Sequence, residues 1–252
     1  MSLFPQKLDF YIKGGVSGMF GVILSHPIDT IKTHIQSGKQ LSKINFSPAS
    51  LYKGISAPLI GVGIEKAIVF GVYNYAKREL QLNIPLSGAI AGLAASIIVT
   101  PYERIKILKQ SQQTLKKMDI ISPQFLFKGL SATFTREVPG FAIYFTVFEA
   151  CKYHWHTKYN KTISYLNAFC YGGLSGFTAW VFIYPQDRIK TLMQLDMSKS
   201  SGKMDSNSFA QIATRIYNAG GIASLYKGFN FAVLRAITLH SGTFFMMELL
   251  TS

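Results

Sequence analysis

Two stretches of the chain carry no charged residue. Residues 80–102 run for 23 positions and residues 162–186 for 25. Each is long enough to cross a hydrocarbon layer of about 30 Å, which takes about 20 helical residues. Four further apolar stretches, 14–28, 55–71, 138–148 and 236–247, are each interrupted or bounded by a charge. A soluble core could bury one such stretch; this set in 252 residues is too many. The pattern predicts six spanning helices. A charge inside a span is costly and normally faces protein or a water-filled cavity, so several of these helices are expected to line something polar.

The same stretches contain a threefold repeat. Three segments align without a gap, beginning at Pro27, Pro101 and Pro185. An acid follows two residues later (Asp29, Glu103, Asp187), a lysine three further on (Lys32, Lys106, Lys190), and a glutamine four beyond that (Gln36, Gln110, Gln194). An aromatic-Lys-Gly corner follows each, ending at Gly54, Gly129 and Gly228. The third repeat holds a longer insertion within residues 196–221. Glycines spaced by four precede each proline, at Gly14/Gly18, Gly88/Gly92 and Gly172/Gly176, and such small faces let helix backbones approach closely in lipid.

Composition adds a partner. The chain is 48% hydrophobic and only 15% charged, against about 25% in ordinary soluble domains. Lys and Arg number 26 against 12 acids, for a net charge of +14. Such an excess suits nucleic acid or an anionic membrane surface, and the apolar runs select the membrane. Two cysteines, Cys151 and Cys170, make no disulfide scaffold and lack metal-site spacing. The five histidines form no metal set; His154 and His156 suit a wet interfacial helix end. There is no Gly-rich phosphate loop and no nucleophile elbow, so an enzyme is not expected. The first thirteen residues lack the pattern of a cleavable signal, and targeting information is expected to be internal.

The triple Pro-x-acid-x-x-Lys with its trailing Gln resembles the signature of the mitochondrial carrier family, over essentially the whole chain. The resemblance implies an all-α membrane protein. Six transmembrane helices would form three pseudo-threefold repeats with short matrix helices, in one transmembrane domain (1–80, 81–160 and 161–252). It implies a multi-pass protein of the mitochondrial inner membrane that carries small metabolites by alternating access. Pro27, Pro101 and Pro185 would kink the odd-numbered helices, since proline removes an i→i−4 hydrogen bond. Acid and lysine three apart share a helix face. Asp29, Glu103 and Asp187 would pair with Lys32, Lys106 and Lys190 between neighbours to close a matrix gate, braced by the three glutamines. The corners at Gly54, Gly129 and Gly228 would bind cardiolipin phosphates. The expected partners are that lipid and a small-molecule substrate, with no cofactor and the chain working as a monomer.

The family's second gate reads aromatic-acid-x-x-cation. Repeat 2 keeps it as Phe148-Glu149 with Lys152. Repeat 1 has Tyr73 and Lys77 but Asn74 in place of the acid, and repeat 3 has Glu248 but Met247 and Thr251 at the aromatic and cation positions. One or two of three ion pairs survive, so the expectation is a weak cytoplasmic gate, a resting state open on that side, and tolerance of unidirectional transport.

The family reads its substrate seven positions after each corner glycine, here Gly61, Arg136 and Arg235. Glu137 follows Arg136, and Glu65 lies one turn beyond Gly61. Arginine forks suit a carboxylate; Glu137 suits an α-ammonium and Glu65 a second cationic group. That outline describes a zwitterion with a positive side chain, such as ornithine, lysine or arginine. The text around Arg136-Glu137 resembles the carnitine/acylcarnitine and ornithine branch. A nucleotide or deoxynucleotide carrier is the alternative, and a carrier-like interaction protein that no longer transports is another. Lys66 stays unplaced between headgroups, a neighbouring helix and Glu65.

Overall fold

The computed structural model describes residues 4–36, 46–110, 127, 130–199, 209–226 and 228–252. Of the predicted site residues, Gly129 lies outside the described residues, as do the side chains of Lys32, Gln36, Lys106, Gln110 and Gln194. Among the described residues every regular element is an α-helix: α1 (Phe4–Gln36), α2 (Pro48–Leu51), α3 (Ser56–Arg78), α4 (Ile84–Gln110), α5 (Leu130–Tyr159), α6 (Tyr165–Lys199), α7 (Phe209–Leu225) and α8 (Phe229–Thr251). The six long helices pack in a closed ring, in the order α1, α3, α4, α5, α6, α8 and back to α1.

Along the helices of this ring some small polar residues are buried while large apolar ones are exposed. On α1, Ser17 and Ser25 are buried while Ile12 and Ile23 face outward, and on α6 Ser175 is buried while Leu174 and Phe182 are exposed. An exposed apolar surface on this scale marks a lipid-facing or partner-facing protein. Three of the helices, Ser56–Arg78, Ile84–Glu103 and Tyr165–Lys190, are long and apolar enough to cross a membrane by length and composition.

The paired glycines explain how close the helices come. A Cβ on Gly14 would stand 2.7 Å from the Lys66 carbonyl, one on Gly88 2.6 Å from that of Phe141, and one on Gly172 2.6 Å from that of His240. Lys66, Phe141 and His240 each lie twelve positions after a corner glycine, so the three contacts are equivalent. The described corner glycines, Gly54 and Gly228, have φ of +85° and +89°. Any side chain in that left-handed region costs roughly 1–2 kcal/mol, which is why the corner ends in glycine.

The signature prolines lie within α1, α4 and α6. Pro185 cannot donate to Val181, four residues earlier. The hydroxyl of the corner tyrosine, Tyr226, donates to that carbonyl at 2.9 Å. Its ring sits against Tyr184 and Phe229. The aromatic corner thus repairs the proline break in this repeat. Tyr226→Phe removes one hydrogen bond, worth about 1 kcal/mol, and is expected to lower the melting temperature by about 2–4 °C. An unchanged melting temperature would assign the Val181 carbonyl to another donor. The long insertion of the third repeat overlaps α7, whose Ile212 and Ile216 pack on Ile189 of α6.

Candidate functional site

The ring encloses a cavity of about 190 Å³. Its ionisable lining is balanced, with Glu65, Glu103 and Glu137 against Lys66, Arg136 and Arg235. Tyr144, Trp180 and His240 also line it. Four of the five residues predicted to bind substrate therefore meet in one chamber. Gly61 does not reach it. A Cβ there would stand 2.8 Å from the Tyr102 hydroxyl, and Gly61 lines an adjoining pocket that shares Glu65, Glu103 and Arg235.

At the signature end the ion pairs differ from a simple ring of acids and lysines. Lys190 pairs with Glu103 across α4 and α6, as the repeat predicts. Arg136, predicted only as a substrate-binding residue, also joins this ion network. Its guanidinium reaches Asp187 at 2.8 Å, Glu103 at 3.0 Å and its neighbour Glu137. Arg235 donates from Nε to Asp29 at 3.0 Å. The cause is geometric: arginine on α5 or α8 is long enough to fork onto acids of the adjoining helices. Gate and cavity share their arginines.

At the other end two of the three possible ion pairs form, as many as the sequence leaves. Lys77 pairs with Glu149 at 2.9 Å, and Tyr73 donates to the same carboxylate at 3.1 Å. Lys152 pairs with Glu248 at 3.0 Å. These two pairs run from α3 to α5 and from α5 to α8. In that register Thr251 and Asn74 are the two members of the third pair. The chain has lost one pair as a unit, and neither charge is left orphaned.

The pairs are not the main seal. Phe70, Phe145 and Phe244 lie sixteen positions after the three corner glycines. Their rings meet edge to face in all three combinations, with centroids 5.5, 5.8 and 6.4 Å apart. Above them Tyr73 stacks on Phe145 at 3.7 Å and Phe148 stacks on Phe244 at 3.5 Å. Part-exposed ion pairs are worth about 0.2–1 kcal/mol each. Aromatic pairs add about 0.5–1.5 kcal/mol each beyond the area they bury, and five such pairs outweigh two ion pairs. This end is closed by rings. They lie outside the charged signatures, although their common offset is readable in the sequence.

Lys66 is placed by the structure inside the chamber. Its Nζ lies 3.4 Å from Glu65 and over the rings of Phe141, at 4.5 Å, and Tyr144, at 5.4 Å. No group of residues able to hold a metal ion occurs among the described residues.

The sequence profile of the family described as mitochondrial carrier protein matches residues 82–159 and 161–252. Similar proteins include a mitochondrial arginine transporter of Arabidopsis thaliana, 29% identical over 94% of this chain and 88% of its own length. A mitochondrial glycine transporter of Saccharomyces cerevisiae is 30% identical over 94% of this chain and 89% of its own length. A mitochondrial carnitine carrier of the same yeast is 25% identical, covering 97% and 87%.

Proposed function

The chain belongs to the mitochondrial carrier family, and from that premise we propose that it carries a small zwitterion with a cationic group across the mitochondrial inner membrane. Ornithine, lysine and arginine are the favoured solutes, with carnitine-like compounds next. All six long helices span the membrane as three pseudo-threefold repeats, and the solute moves by exchange between two gated states. The monomer is the working unit, with cardiolipin phosphates at the corner glycines.

The observation that carries this reading is the balanced chamber whose arginines are shared with the gate. A substrate carboxylate on Arg136 or Arg235 takes the place of Asp187, Glu103 or Asp29. One carboxylate replaces another on the guanidinium, so binding releases the gate acids at small net cost. The substrate ammonium groups take Glu137 and Glu65. Substrate then binds best while the gate is changing, which lowers the barrier between the two states. The chamber also argues against a nucleotide. It has no excess of positive charge among its lining residues. The kinship with an arginine transporter agrees.

The test is uptake of radiolabelled lysine, arginine, ornithine, carnitine and deoxynucleotides into liposomes containing the purified protein. Saturable uptake of basic amino acids, reduced at least about tenfold in Glu65→Gln and Arg235→Ala, is the expected result. Nucleotide uptake with silence for amino acids would overturn the reading. Empty and preloaded liposomes separate unidirectional transport from exchange.

A further inference from the structure

The chamber has a second polar wall, at the end next to the aromatic seal, that the reading above leaves unused. Lys66, Tyr144 and His240 border it together. The rings of Tyr144 and His240 are 4.6 Å apart, and Lys66 Nζ lies 5.4 Å from the Tyr144 ring centre. Tyr144 is 1% exposed and His240 9% exposed. Yet among the described residues the Tyr144 hydroxyl and His240 Nδ1 have no hydrogen-bond partner. Buried polar groups that serve only packing are nearly always hydrogen-bonded. Two that are not, on residues that line one cavity with Lys66, mark a place for a ligand atom.

The chemistry selects an acceptor. An ammonium is donor-only, and a tyrosine hydroxyl and a histidine ring nitrogen can both donate. Arg136 and Arg235 are held by Asp187, Glu103, Glu137 and Asp29 in this conformation. Among the described residues the acid paired with Lys66 is Glu65, its neighbour in sequence, at a looser 3.4 Å. Lys66 is the chamber cation that a solute anion reaches without breaking the gate network.

We propose that Lys66, Tyr144 and His240 form a second carboxylate station, which holds the solute's carboxylate in the conformation closed at the aromatic end. The arginines hold it once the signature network has opened. Lys66 turns from Glu65 to the carboxylate, and Glu65 is released to the solute's cationic group. Tyr144 stacks on Phe244 at 4.8 Å, so the station touches the seal directly. The proposal rests on the reading of the chamber as a site for a carboxylate-bearing solute.

The experiment compares solutes with their counterparts that lack the carboxylate, as competitors of uptake into liposomes: arginine with agmatine, lysine with cadaverine, and carnitine with choline. The wild-type protein is expected to prefer the carboxylate-bearing member of at least one pair. Lys66→Gln and Tyr144→Phe are each expected to reduce that preference by about tenfold, the weight of one hydrogen bond to a charged group. The loss falls on the carboxylate-bearing member and leaves its counterpart unchanged. Tyr144→Phe removes a hydroxyl that has no partner, so the substrate-free protein is expected to melt at the wild-type temperature or above. A preference kept by both variants would overturn the station while leaving the transport reading intact. A clear fall in melting temperature of substrate-free Tyr144→Phe would also overturn it, by assigning the hydroxyl to the fold. Wild-type protein that takes up no member of any pair would remove the transport reading, and the station with it.

Discussion

Arg136→Gln is expected to abolish transport, with a loss of at least about 100-fold in initial uptake rate, and to destabilise the protein. The guanidinium lies among three carboxylates, Asp187, Glu103 and Glu137, and is itself well shielded from water, at 17% side-chain exposure. Removing one partner from a buried ion network costs about 3–5 kcal/mol, because the remaining charges keep their desolvation and lose their compensation. Transport suffers twice. The solute loses a carboxylate fork, and the acids of α4 and α6 lose the group that ties them to α5. Arg136→Lys is expected to retain part of the stability and little of the transport, since an ammonium is a point charge that cannot fork onto two acids at once. The double variant Arg136→Gln/Glu137→Gln separates the two losses. It restores much of the melting temperature by removing one stranded charge, but leaves uptake at the level of the single variant. Uptake by Arg136→Gln within tenfold of wild type would show that neither gate nor substrate depends on this residue.

The second large effect is expected at the opposite end of the chamber. Phe244 meets Phe70, Phe145, Tyr144 and Phe148. Truncating a buried phenylalanine costs about 3–5 kcal/mol. Because these contacts join α8 to α3 and α5, the loss falls mainly on the state closed at this end. Three kcal/mol moves a two-state equilibrium by more than about 100-fold. Breaking the Lys152–Glu248 pair, whose lysine is 41% exposed, moves it by less than about tenfold. Access can be read from the labelling rate of Ala236→Cys, a chamber position, with a membrane-impermeant maleimide in a Cys151→Ser/Cys170→Ser background. Phe244→Ala is expected to raise that rate about 100-fold and Lys152→Gln much less. The reverse order would return the gate to the ion pairs that the sequence emphasised.

The contrast between these two ends shows where reading the chain succeeds. Apolar runs and the threefold motif are one-dimensional facts, so helices, repeats and the approximate heights of Glu65, Arg136, Glu137 and Arg235 were legible from them. The glycine pairs were legible too, because close helix approach needs small residues at a fixed spacing. Partner choice was not. Arg136 was expected to face only solute, and Gly61 was expected in the same chamber. Which acid a long side chain reaches depends on distances between helices, and no periodicity within one helix contains them.

The aromatic seal was present in the text at a constant offset, but its meaning came from geometry. A phenylalanine at one position of one helix is indistinguishable from lipid-facing filler. Three of them become a gate only when three helices bring their rings within 5.5–6.4 Å. Lys66 makes the same point for charge. Sequence placed it about 100° round the helix from Glu65 and left its surroundings open; packing put it inside, over two aromatic rings. By itself the sequence determined long apolar helices, a motif repeated three times and charges at set positions within it, because hydrophobic period and repeat spacing are properties of a single chain. Only the tertiary structure decided which charges share partners and what closes the chamber, because both are set by distances across the ring.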